Sequence, residues 1–319
     1  MHARTNMRRV ALGVLLSLGL GMASAALCGC LDVVPSAANA ITEATVSAEV
    51  AALLEAWAEG QKAQDAQALA SLYTEDYAYN GQTAAEVAQS FLLPRDEHTK
   101  ISTLTLQFIE PLAEQQAEGE VWARVSFSGS IAAQHLAEYL PGAAAQGLDP
   151  SQAPPRAAAR HEHEHEHEHG EQPSGGAALT GSVPVRGFFD MRWTVADTSS
   201  GPRLSSQTIV RGQMLAGPEL AVPLLANVAL ESAAVRCGEE FHVTGSVALL
   251  GSGRVLAQVG SGAPVSAEVS GASFHAHLVA PSTPGEYVVL VRAGNVVADG
   301  PAAAICWRGL SLRVAEHSE

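Results

Sequence analysis

The sequence predicts an α+β domain followed by an all-β sandwich, and three observations carry that reading. Residues 47–92 place apolar side chains at helical spacing behind N-capping residues. Residues 99–109, 120–130, 184–196 and 203–212 alternate apolar and polar side chains as half-buried strands do. Beyond about residue 217, short strands and turns recur at the spacing of a β-sandwich. A chain of 319 residues accommodates two such domains. Its formal net charge of −15 argues against nucleic acid as a ligand and against docking of the body on anionic lipid.

The helices come first. Val50, Leu53, Leu54 and Trp57 share one helical face behind Ser47 as N-cap, and Gly60 is expected to end the helix. A shorter helix opens at Asp65 and presents Leu69, Leu72 and Tyr73. Residues 76–79 alternate like a short strand, and Asn80-Gly81 turns the chain. Thr83 with Glu86 three residues on is a capping box for a third helix bearing Val87 and Phe91, which Pro94 closes.

Helix, helix, short strand, helix and then long strands is the order of the nuclear transport factor two-like cone fold. The segment ALASLYTEDYAYNG, residues 68–81, resembles the SnoaL-like branch of that superfamily. The resemblance covers residues 45–130 and 183–214 and implies three helices packed on a curved antiparallel sheet. It implies little about activity, because the cone hosts isomerases, dehydratases, carriers and interaction modules alike.

In the long strands, odd positions form the apolar face expected against the helices: Val121, Ala123, Val125 and Phe127, then Val185, Gly187, Phe189, Met191, Trp193 and Val195. The other face carries Trp122 and Arg124, then Arg186, Phe188, Asp190 and Arg192. Trp122 and Phe188 would form an exposed patch if they lay together, and this sheet is the surface through which a homodimer would form. Trp57, Tyr73, Tyr77, Tyr79 and His98 are the candidates to line a cone cavity. Proton-shifting enzymes need an acid pointing into that cavity. Asp190 falls on the outer face and Asp76 at a turn, so no catalytic residue is assigned.

Residues 1–9 are basic and residues 10–27 small and apolar, the layout of a secretory signal. Leu27-Cys28-Gly29-Cys30 resembles a bacterial lipobox, which implies acylation of Cys30 and a tether over residues 31–46. Cleavage after Ala25 or Ala40 is the competing reading. In the lipoprotein reading Cys28 leaves with the signal, and Cys237 and Cys306 remain as the one pair expected to form a disulfide.

An insertion over residues 132–182 interrupts the first domain, which spans residues 47–214. Its composition is that of a disordered loop. It contains His161, His163, His165, His167 and His169, separated by Glu162, Glu164, Glu166 and Glu168. Imidazoles and carboxylates at this density suit zinc, nickel or copper. The internal two-residue repeat also has a neutral origin, replication slippage.

The second domain spans residues 217–319. Strands are expected over residues 226–232, 240–250, 255–259, 265–278, 286–292 and 310–314. Pro284-Gly285-Glu286-Tyr287 before an apolar strand resembles bacterial immunoglobulin-like domains, where the Tyr pins a corner by its hydroxyl. His242, His275 and His277 alternate with apolar residues and read as surface positions on strands.

These features predict a secreted, lipid-anchored envelope protein of non-catalytic, binding type. Zinc or nickel would bind at the His/Glu loop, no cofactor is required, and the partner is a protein or small molecule. A small-molecule enzyme of isomerase or dehydratase type, or a ligand carrier, using the cone cavity is the alternative.

Overall fold

The computed structural model describes residues 42–112, 119–133, 135, 181–217, 220–249, 253–296 and 303–316. Cys30 and the His/Glu tract at 161–169 lie outside them. The described residues from Glu43 onward belong to one compact unit.

Helix α1 (Ala48–Ala63) starts where Ser47 Oγ accepts the Val50 N–H and ends at Gln64 in the left-handed region. It does not end at Gly60 as expected but runs through it; a Cβ there would lie 2.8 Å from Leu69 Cδ2, so the glycine serves close packing and lets α2 (Ala66–Ala70) approach. Asp65 caps α2, and the Thr83/Glu86 capping box starts α3 (Ala84–Val87). Residues 76–79 are not a strand: Tyr77 closes a turn onto Thr74, and a 3₁₀ turn follows at Tyr79–Gly81.

Four long strands come next: β1 (Lys100–Phe108), β2 (Glu120–Ala132), β3 (Ser182–Thr198) and β4 (Gly201–Ala216). The remaining nine are shorter on average: β5 (Leu224–Leu230), β6 (Ala234–Arg236), β7 (Glu240–Ala248), β8 (Arg254–Val259), β9 (Val265–Ser266), β10 (Glu268–Ser270), β11 (Ser273–Val279), β12 (Gly285–Val296) and β13 (Ala303–Ala315). They form two sheets. The large one runs β1-β2-β3-β4-β13-β12-β8-β9, with β6 pairing β13, and the small one runs β10-β11-β7-β5.

The fold is therefore mostly β, and the expected α+β cone of three helices on a sheet, followed by an immunoglobulin-like sandwich, is not its architecture. Two physical reasons account for the difference. The second and third helices are 5 and 4 residues long, about one turn each, and cannot cover a sheet. The final strand also begins at Ala303, well before residue 310, and the added segment Ala303–Arg308 pairs with β4. One sheet thus continues from the first half of the chain into the second. At its crossing point a Cβ on Gly309 would sit 1.9 Å from the Ile209 carbonyl oxygen, so only glycine fits.

The odd-numbered face of β2 and β3 packs against the helices as the alternation predicts, with Val125, Phe127, Phe189, Met191 and Trp193 meeting Leu54, Trp57 and Leu69. Trp57 and Trp193 meet edge to face, 5.3 Å between centroids. A second core lies between the two sheets, where Val289, Val291 and Leu312 face Phe241, Val243, Phe274 and Leu278. Strand β13 serves both cores: Ile305 and Trp307 point one way, Cys306 and Leu312 the other. At the adjoining turn Tyr287 donates its hydroxyl to the Thr283 carbonyl at 2.9 Å, the corner bond the sequence pattern suggests.

A candidate metal centre

In β7 and β11 the apolar residues point into the second core, so the residues between them point outward. That alternation puts His242 and Thr244 of β7, and His275 and His277 of β11, on the outer face of the small sheet. The antiparallel register sets His277 directly opposite His242 and His275 opposite Thr244. The three imidazoles therefore form a triangle across two strands, and one ligand atom from each lies within 4.8 Å of the others. Ring centroids are 4.8 Å apart for His242–His275 and 4.4 Å apart for the other two pairs.

Two acids flank the triangle. Glu231, which donates its backbone N–H to the His242 carbonyl, brings Oε2 to 3.7 Å from His242 Nε2. Glu268 of β10 is the cross-strand partner of His275. The Nδ1 atom of His242 is buried and has no hydrogen-bond partner. A buried ring nitrogen without a donor or acceptor is costly unless something uses its lone pair. Three nitrogens around a tetrahedral zinc stand about 3.4 Å apart, given bonds of about 2.0–2.1 Å. The present ligand atoms, within 4.8 Å of one another, would have to draw together to that spacing, and His277 is the exposed member of the group. The residues thus fit a borderline divalent ion.

Sequence reasoning missed this group because alternation assigns each histidine to a face without saying which strands are neighbours. The one local signal is His275-Ala276-His277, which commits two imidazoles to the same face of a strand.

The other expected site residues lie elsewhere. Trp57, Tyr73 and Tyr77 are buried in the first core, and burial pushes both tyrosine hydroxyls well above their usual range. Tyr73 donates to Gln207 Oε1 and Tyr79 shares a hydrogen bond with Thr208, each at 2.7 Å. His98 is exposed beside Glu97. The Trp122–Phe188 patch does not form as expected, since Trp122 is buried and the Arg124 guanidinium lies 4.1 Å above the Phe188 ring. Asp190, expected on an outer face, is fully buried between Arg124 and Arg211.

The expected disulfide is absent: Cys237 and Cys306 are free thiols. The Cys237 N–H donates to Ala315 at one end of β13, whereas Cys306 lies nine positions earlier on that strand. At roughly 3.3 Å per residue that is about 30 Å, far beyond the ~7 Å Cα separation a disulfide tolerates.

Comparison with known protein families, with curated proteins and with solved structures finds no match for this chain.

Proposed function

We propose that this is a non-catalytic binding protein of the bacterial envelope that holds a divalent transition metal, zinc or a close neighbour, at His242, His275 and His277. The convergence of three imidazoles on one outer sheet face, beside two carboxylates and with one orphaned ring nitrogen, carries this reading. The tautomer with its proton on Nε2, toward Glu231, leaves His242 Nδ1 free as a ligand. A carboxylate beside a metal-bound histidine fixes its ring and raises its basicity. Three protein ligands on an exposed face leave a fourth position for water, Glu231 or a partner's group. The basic and apolar N-terminus with its lipobox-like end supports the envelope location, and the His/Glu tract would add a second, looser metal-binding element.

The test separates the two elements. In a chain lacking residues 161–169, zinc titration by calorimetry should give one site per chain. His277→Ala, a change at an exposed position, should weaken it by at least tenfold. Unaltered binding in His277→Ala would overturn the assignment of the site, and absence of binding in the shortened parent would confine metal binding to the tract.

A further inference from the structure

On the face of the large sheet turned toward the small sheet, four adjacent strands place one charged residue each in a single cross-strand row. The registers run Arg124 of β2, Asp190 of β3, Arg211 of β4 and Arg308 of β13. Asp190 is fully buried and accepts three bonds: Arg124 reaches it with Nε at 2.6 Å and a second nitrogen at 2.8 Å, and Arg211 Nε bonds it at 2.5 Å. All three of those bonds go to Arg124 and Arg211, and none goes to Arg308. Among the described residues Arg308 forms no hydrogen bond or ion pair, although it is half-buried and stands directly opposite Arg211. Arg192, one row along, has its own acid in Glu120 at 3.3 Å. The row and its neighbour therefore hold four guanidinium groups against two carboxylates.

Like charges directly opposite in a sheet repel, and partial burial makes the repulsion stronger than on an open surface. Burial, then the charge of Arg211, holds the Arg308 guanidinium below its ordinary pKa, while Cys306 and Asp190 pull the other way. A chain with formal net charge −15 gains nothing in solubility from placing an unpaired guanidinium directly opposite a second one. The arrangement is one in which a fixed acid orients one guanidinium and leaves the remaining N–H donors of two to a third party. Guanidinium forks bind oxyanions through paired N–H donors, and they do so best when the fork is already immobilised.

We propose that Arg211 and Arg308 form a binding site for a small tetrahedral oxyanion, phosphate or sulfate, with Asp190 and Arg124 as the buried base that holds Arg211 in place.

Thermal unfolding of the full chain in chelator, with inorganic phosphate, sodium sulfate, sodium acetate or sodium chloride at matched ionic strength, tests it. Phosphate or sulfate should raise the midpoint saturably, and acetate and chloride should not; which of the two tetrahedral anions acts at lower concentration identifies the preferred ligand. Arg308→Gln should weaken the response at least tenfold in concentration, and Arg308→Lys should weaken it less. Arg308→Lys also keeps the test open if Arg308→Gln does not fold. Equal shifts with chloride, a larger shift with acetate, or an unchanged phosphate response in Arg308→Lys and Arg308→Gln would overturn the proposal. None of these outcomes bears on the histidine site, which uses different residues and is silent in chelator.

Discussion

His242 and His277 face each other across β7 and β11, nearly perpendicular, with ring centroids 4.4 Å apart. Neutral imidazoles tolerate this approach, whereas two imidazolium rings would repel. Metal binding needs the same neutral form, so protons and metal compete for the group. Zinc affinity of the chain lacking residues 161–169 should therefore fall at least tenfold between about pH 7.5 and about pH 5.5. Calorimetric titration at the two pH values measures it, and equal affinity at both would exclude histidine ligation.

The shared sheet predicts cooperative behaviour. Because β4 and β13 pair directly, the halves of the chain should unfold together, as a single calorimetric transition. Gly309→Ala drives a methyl into the Ile209 carbonyl and should destabilise that single transition by roughly 1–3 kcal/mol or more. Two separate transitions in the parent protein would mean that the halves fold independently.

Much of this architecture was readable from residues, and the unreadable part has a specific cause. Ser47, Asp65 and the Thr83/Glu86 box mark their helix starts by local hydrogen bonds, which sequence encodes directly. The apolar faces of β2 and β3 follow from period-two alternation. Pairing is non-local, however. Ala303–Arg308 buries residues toward both cores, so it lacks alternation, and its pairing with β4 was invisible for that reason. The histidine triangle was hidden in the same way, since it exists only once β7 and β11 are in register.

Asp190 should be indispensable to the fold. It is fully buried and balances two arginines that are themselves mostly buried. Asp190→Asn keeps the shape but removes the charge, and breaking a buried ion-pair network from one side costs about 3–5 kcal/mol. Chemical denaturation should register that loss; a change under about 1 kcal/mol would show that the arginines find solvent instead.

The thiols should differ in reactivity. Burial pushes the Cys306 thiol up to about 11, so it is almost wholly protonated at neutral pH, whereas Cys237 is only half-buried. In a chain carrying Cys28→Ser and Cys30→Ser, an aromatic disulfide reagent should label Cys237 first and Cys306 only on unfolding. Intact mass should be the same with and without reductant. A gain of two hydrogens on reduction would restore the disulfide.

The most direct measurement is diffraction from crystals grown with one equivalent of zinc, recorded on both sides of the zinc absorption edge. An anomalous peak is expected on the outer face of the small sheet, about 2.0–2.1 Å from one nitrogen each of His242, His275 and His277. Zinc bound elsewhere, with no peak among those three rings, would contradict it.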